Sequence, residues 1–346
     1  HYNEKAMNEP AKSHRRDFLR GKAALRALQH LQGSHAPEEE PAGMSYVESD
    51  VRQGQRGYLV QAGRKAMACQ FQVFLNAGQH QGDLEAGLEA LDLVSTLEDQ
   101  MTVYRDHSEL SRINSQAATQ PCVVERRLFT LLQRCVALFN ATNGAFDITA
   151  APLVKLWGFH IRQGLFPDAE ELAATREIIG SQYILLDEKP RTVSFAKPGV
   201  ELNLGSIGKG YALDRCAEIL ESADVDDYLI HGGHSSVLAR GSRMSESPPG
   251  WIVALRHPLR PDQRVAEIRL HDKAIGTSGS GNQFFYHHGK RYGHVLDPRT
   301  GKPAQGVLSS TVLSTNAAEA DALATAFFVL GIEATRQFCA QRPDLG

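Results

Sequence analysis

The sequence predicts an α+β fold in one large domain, and three observations point there. Short β runs and amphipathic helical runs both occur, but the helices fall between groups of strands without the regular alternation of a doubly wound sheet. Hydrophobic residues make up 42% of the 346 and charged residues 22%, a balance that excludes a wholly disordered or fibrous chain. No stretch approaches the length of apolar sequence that a membrane-spanning helix needs. With 37 Lys and Arg against 40 Asp and Glu, the net charge is −3, and no basic run points to nucleic acid.

Residues 1–55 differ from the rest. Arg15-Arg16-Asp17-Phe18-Leu19-Arg20 looks like a twin-arginine export signal, which predicts a periplasmic or exported protein. The apolar run that should follow is broken by Arg26, Gln29 and His30, so a short basic helix leading into a linker, with a cytoplasmic location, fits the same residues. The domain is therefore taken as 56–346.

Tyr58 to Val60 and Cys69 to Leu75 have the alternation of strands, with Gly63-Arg64-Lys65 read as the turn between them. Leu84, Leu88, Leu91 and Val94 share one helical face, as do Leu128, Leu131, Leu132, Cys135, Val136 and Phe139. Asp168, followed by Glu170 and Glu171, is placed to cap a helix running to Ile178. Short β runs follow at 183–186, 192–195, 228–231, 235–240, 251–256 and 265–270. The runs 283–287 and 291–296 flank His288-Gly289, a hairpin turn. The five cysteines show no CxxC spacing. Cys135 and Cys216 sit among apolar residues at helical spacing, as buried inert thiols do.

Four segments concentrate chemistry. In Asn203-Leu204-Gly205-Ser206-Ile207-Gly208-Lys209-Gly210, glycines and a lysine open a helix whose apolar face runs Leu213, Ala217, Leu220. The unpartnered N–H groups of such a start can cradle a phosphate, with Lys209 adding a full charge. A Gly-rich strand-to-helix turn with a solvated lysine reads the same way. Asp321 and Thr325, four apart, put a carboxylate and a hydroxyl on one helical face, the sparse hard-oxygen set that suits Mg²⁺ completed by phosphates and water. Equally, Asp321 could cap a buried helix while Thr325 bonds back to a carbonyl. Gly276-Thr277-Ser278-Gly279 precedes a hairpin that ends at His294, just before the turn sequence Asp297-Pro298-Arg299-Thr300-Gly301. That histidine is either a general base or a structural strand residue. In Gly144-Ala145-Phe146-Asp147-Ile148-Thr149, running on to Trp157, the aromatic residues read as core.

Taken in order over 58–338, these segments resemble the ApbE family, the FAD:protein FMN transferases. Arg64-x-x-Met67, Tyr104-Arg105, Leu110 to Asn114, 144–149, Gly208 to Asp214, Gly232-Gly233, Gly289 to Gly301 and Ala320 to Thr325 carry the likeness. The resemblance implies a T-fold-like α+β domain of mixed or antiparallel sheets with packed helices. It also implies bound FAD, Mg²⁺, and transfer of FMN to a Ser/Thr hydroxyl of an acceptor flavoprotein with release of AMP, the acceptor belonging to a membrane-associated redox complex. Hydrolysis of FAD, or FAD binding with little turnover, is the alternative within the same fold. By motif position, Met67, Tyr104, Ala145, Phe146, Asp147, Asn203, Lys209 and Leu296 would contact FAD. Ser206, Asp321 and Thr325 would bind the metal, and His294 would be the base. This chain departs from the family pattern with Asn203 where many members have Asp, Ala324 where some have a second acid, and His234-Ser235-Ser236 after the glycine pair. Those positions bear on metal number and acceptor choice.

Overall fold

The computed structural model describes residues 58–79, 82–244, 246–281 and 283–346, together with the backbone of 44–46. The export-like motif of 1–55 lies outside the described residues. In chain order the strands are β1 (Met44–Tyr46), β2 (Leu59–Ala66) and β3 (Cys69–Asn76), followed by helices α1 (Asp83–Met101) and α2 (Glu109–Gln116). Then come β4 (Cys122–Val123), α3 (Arg126–Ala141), α4 (Ala151–Leu156), α5 (Ala169–Glu177), β5 (Ile184–Asp187), β6 (Thr192–Phe195) and α6 (Gly208–Ser222). The long β segment holds β7 (Tyr228–Gly232), β8 (Ser236–Arg240), β9 (Trp251–His257), β10 (Arg260–Leu270) and β11 (Lys273–Gly279). It continues with β12 (Phe284–His287), β13 (Lys290–Gly293), β14 (Leu296–Asp297), β15 (Lys302–Pro303) and β16 (Ser309–Ser314), and the chain closes on α7 (Ala317–Leu330) and α8 (Ile332–Ala340).

The architecture is α+β, built on a six-stranded sheet in the order β16-β11-β8-β7-β3-β2, antiparallel throughout. Its central strands are buried on both faces, in keeping with the apolar run Tyr228-Leu229-Ile230 that opens β7. Tyr228 and Ile230 point into the main core with α1, α3, α6 and α7, while Leu229 points to a second cluster with Val237, Trp251 and Val253. β1 pairs with β9, just N-terminal to the expected domain start. A third cluster of Leu153, Trp157, Phe159, Ile179 and Leu296 lies beneath the two-stranded ribbon β12-β13.

Several local expectations match closely. Asp168 caps α5 in a capping box with Glu171. Thr192 to Phe195 is a strand over the expected residues, and His288 and Gly289 form the ribbon's turn with φ of 48° and 74°. Cys135 and Cys216 are buried free thiols, with burial pushing both away from ionisation. Two expectations are corrected. Gly63-Arg64-Lys65 is strand interior, and the β2–β3 turn is instead Met67-Ala68, both at positive φ (49° and 58°). The glycine misled because an ungapped register from Leu59↔Asn76 to Ala66↔Cys69 outweighs its turn preference. Leu84 and Leu88 are 46% and 48% exposed; the buried face of α1 is Ala86, Gly87, Ala90, Leu91, Val94 and Leu97. Small residues win there because the helix lies close to the sheet: a Cβ on Gly87 would stand 3.2 Å from Val73.

Candidate active site

A cavity of about 610 Å³ opens where the main sheet, the start of α6, the first turns of α7 and the base of the ribbon meet. Tyr104, Ala145, Asp147, Asn203, Ser206, Lys209, His294, Leu296, Asp321 and Thr325 all line it, although they span more than two hundred residues of chain. Met67 and Phe146 are not on its wall. Phe146 is 1% exposed in the main core, so its side chain is structural, and Met67 occupies the β2–β3 turn. The aromatic-core reading of the Phe146 and Trp157 side chains therefore holds, and any contact of Phe146 with a ligand would fall to its backbone.

Asp321 occupies the junction of three elements. Its Oδ2 accepts from the Gly210 N–H at 3.0 Å and stands 3.6 Å from Lys209 Nζ; its Oδ1 accepts from Ser236 Oγ at 3.1 Å. The carboxylate thus sits at the positive end of α6. This narrows the phosphate-cradle reading, because the Gly210 N–H is spent on Asp321 and the Gly208 N–H on the Leu204 carbonyl (2.7 Å). Lys209 still lines the cavity, whose wall also includes Arg162.

Two glycines bring α7 to this point. A Cβ on Gly210 would lie 2.8 Å from the Ala318 Cα and closer still to the Ala317 carbonyl. One on Gly276 would lie 2.5 Å from the Asp321 nitrogen. Any larger residue would push α7 off its supports. Asp214 on α6 adds a cross-helix cap, its two oxygens accepting from the Ala317 and Ala318 N–H groups at 2.8 and 2.9 Å. Burial pushes the Asp214 carboxyl up to about 6, while those two N–H groups pull it back. Sequence reading missed Asp214 and Ser236 as partners of this helix. The Gly-x-x-x-Asp spacing from Gly210 to Asp214 in α6 was the available signal, but the target lies 103 residues away.

Thr325 Oγ1 and Ser278 Oγ are 2.9 Å apart, so β11 supplies a hydroxyl beside the pair on α7. Asp147, on the cavity wall, takes three bonds at Oδ1, from the Thr149 N–H (2.9 Å), Thr149 Oγ1 (2.7 Å) and Ser181 Oγ (2.7 Å). Burial nevertheless raises its pKa. Asn203 Oδ1 accepts from the Gly205 N–H at 2.8 Å and so closes the loop before α6. Its amide offers donors where an aspartate would add negative charge.

His294 stands at the foot of β13. Its Nδ1 is 3.2 Å from the Gln283 carbonyl oxygen, which can only accept, so Nδ1 carries the proton and Nε2 holds the lone pair. Burial holds its pKa below the usual histidine range, the Gln283 carbonyl opposes this, and Lys209 adds to the lowering. A neutral ring with a basic Nε2 results. Cys69, also on the wall, is pushed up to about 11 by burial and is no thiolate nucleophile.

The donor set fits a small divalent cation. The Asp321 carboxylate with the oxygens of Thr325, Ser278 and Ser206, all hard donors, leaves positions for water and for oxygens of a bound diphosphate. Among the described residues no cluster of three His, Cys, Asp or Glu forms a metal cage.

A family model described as the ApbE family matches residues 67–346. An FAD:protein FMN transferase of Vibrio cholerae is 36% identical over 245 residues, 70% of this chain and 72% of that protein. One from Klebsiella pneumoniae is 34% identical over 258 residues, 73% of this chain and 78% of the relative. The solved structure of the flavin transferase ApbE from Vibrio cholerae superposes with a TM-score of 0.73 at 30% identity, covering 83% of this chain and 92% of that one. The ApbE protein from Thermotoga maritima gives 0.75 at 28%, covering 83% and 93%. Motif order, cavity and overall architecture agree, and the chain belongs to the ApbE family.

Proposed function

We propose that this chain is an FAD:protein FMN transferase that moves FMN from FAD onto a Ser/Thr hydroxyl of an acceptor flavoprotein and releases AMP. The observation that carries it is one cavity bearing Lys209 3.6 Å from Asp321 on one wall and a neutral His294 on another. The relatives named above support the same reading.

In such a transfer the protein mainly positions groups and neutralises charge. Lys209 binds the diphosphate, and Asn203 and Asp147 offer polar contacts to the rest of the nucleotide. Asp321, Thr325, Ser278 and Ser206 are the residues that would hold Mg²⁺. When bound, that ion supplies neutralisation of charge on the diphosphate and on the departing AMP. His294 Nε2 takes the proton of the acceptor hydroxyl, which is too weak an acid to ionise alone at neutral pH. The hydroxyl oxygen then bonds to the FMN phosphorus, the bond from that phosphorus to the bridging oxygen breaks, and AMP leaves with that oxygen. The imidazolium returns its proton to solvent.

The test incubates the protein with FAD, MgCl₂ and a candidate acceptor protein, following AMP by chromatography and flavin by in-gel fluorescence. Labelled acceptor with stoichiometric AMP is the expected result. AMP with only free FMN would make the chain a pyrophosphatase, and retained FAD without AMP a binder. Asp321→Asn should raise the Mg²⁺ concentration needed for half-maximal rate by about tenfold or more.

A further inference from the structure

We propose that the outer edge of β12 is the docking rail for the acceptor, which binds there as an extended acidic segment and runs down into the cavity. The inference rests on the transferase reading above and assigns the surface where its protein substrate is recognised.

The ribbon β12-β13 is a sheet of two strands, so each has one edge that no other described strand covers. Register says which backbone groups point outward. The His294 N–H donates to the Gln283 carbonyl at 3.0 Å, and hydrogen-bonded pairs alternate along an antiparallel ladder. Phe285↔Tyr292 and His287↔Lys290 are therefore bonded pairs, and Phe284 and Tyr286 direct N–H and C=O away from β13. The opposite edge is obstructed at its foot, where Gly293 lies against Ser280 and the Arg291 guanidinium donates to the Ser280 carbonyl. Among the described residues no strand pairs with the edge of β12; at its foot the Gln283 side chain donates to the Phe159 carbonyl at 2.6 Å, short of Phe284 and Tyr286.

That edge leads to the chemistry. Gln283, immediately before it, and His294, across from Gln283, both line the cavity. A third strand laid on β12 at the usual spacing of about 4.8 Å would pass from the ribbon tip to the mouth, where its continuation reaches the base. The surroundings suit a protein partner. Phe284 is 42% and Tyr286 66% exposed, while Ile161 and Phe166 on the neighbouring loop are 50% and 48% exposed. The Phe166 ring stacks on His287 at 4.1 Å, which binds that loop to the ribbon.

Charge decides the occupant. Segments 158–166 and 283–294 contain no Asp or Glu but carry Arg162 and Lys290, besides the Arg291 engaged by Ser280, on a chain whose net charge is −3. A locally basic, aromatic strip on an acidic protein complements an acidic extended segment.

The experiment uses the full chain with FAD, MgCl₂ and a synthetic peptide of about twelve residues bearing a central Thr flanked by Asp and Glu, with an Asn/Gln counterpart as control. The acidic peptide should slow hydrogen exchange at the Phe284 and Tyr286 amides, and the control peptide should do so only at about tenfold higher concentration. Tyr286→Pro removes the outward N–H and should abolish the protection, whereas Tyr286→Ala keeps the N–H and should bind the peptide within about threefold of the unmodified chain. Lys290→Glu should weaken binding by about tenfold. FAD binding, read by flavin fluorescence quenching, should be unchanged in all three variants. Protection elsewhere than β12, unaltered binding in Tyr286→Pro, or equal binding of both peptides would overturn the proposal. Absence of AMP from the unmodified chain is the separate failure of the transferase reading.

Discussion

The two walls of the cavity are built in opposite ways. The Asp321 wall is a clamp: α7 lies against backbone at Gly210 and Gly276, is capped from α6 by Asp214, and holds its carboxylate 3% exposed. The His294 wall is the foot of a two-stranded ribbon that stands on an aromatic stack, Trp157 with Tyr292 at 5.9 Å and Phe285 with Tyr292 at 5.5 Å, with its outer face in solvent. Groups that must neutralise charge on a small, invariant diphosphate gain from being fixed beforehand, since they need not reorganise during reaction. A base that must meet a hydroxyl brought by another macromolecule has to lie near the surface. The contrast assigns rigidity to the nucleotide side and accessibility to the partner side.

Three substitutions probe that contrast. The largest effect is expected from Gly210→Ala, whose methyl has no room against the α7 backbone. Separating α6 from α7 should cost about 3 kcal/mol or more and cut Mg²⁺-dependent AMP release by about a hundredfold. A thermal melt and an AMP assay check both, and an unaltered rate would show that the clamp is not needed. Asp214→Ala comes next. It leaves two buried N–H groups without acceptors, for a loss of about 2–4 kcal/mol read by denaturant unfolding. Asp214→Asn, which retains one acceptor, should recover part of it.

His294→Ala tests the other wall and should leave stability nearly unchanged. Transfer should slow by about 10²–10⁴-fold while FAD affinity changes little, measured by in-gel fluorescence and by flavin quenching. Its pH signature has a definite sign. The folded-state pKa is depressed below the ordinary 6.5, so the neutral ring predominates at pH 7 and the acid limb of kcat/KM should fall below 6.5. Any stability linked to the neutral ring is likewise complete above 6.5 and lost as pH falls from there toward the folded value. An acid limb at or above 6.5 would remove His294 as the base.

The structure also reshapes one expectation about Asp321. Helix cap and metal ligand were alternatives when only spacing was available, yet its carboxylate serves as acceptor for Gly210 and Ser236 while facing the cavity. Asp321→Ala therefore combines a structural cost with any loss of metal, which is why the isosteric Asn is the better probe.

Legibility followed range. Helix α5 with its Asp168 cap, the strand Thr192–Phe195 and the His288-Gly289 turn all depend on neighbours within a few residues, and each was readable. The motif residues that reach the cavity were found as separate segments, and their order along the chain pointed to the family. Misreadings came where a local preference met a distant constraint. Gly63 resembles a turn until it is held in register with Gln72, and Leu84 and Leu88 resemble a buried face until the sheet selects the smaller residues of α1. Phe146 shares a motif with cavity residues, but its ring turns into the core.

Residue order alone determined the α+β class, the short β run at 228–231, and the presence of an acid and an alcohol four residues apart on α7. Those properties arise from backbone periodicity and short-range hydrogen bonding. Only the tertiary structure decided that Lys209 would meet Asp321 across 112 positions, that Asp214 would cap a helix other than its own, and that Nδ1 of His294 would be the protonated nitrogen. Each depends on close approach between chain-distant backbones, set by the packing of the whole core and absent from any local pattern.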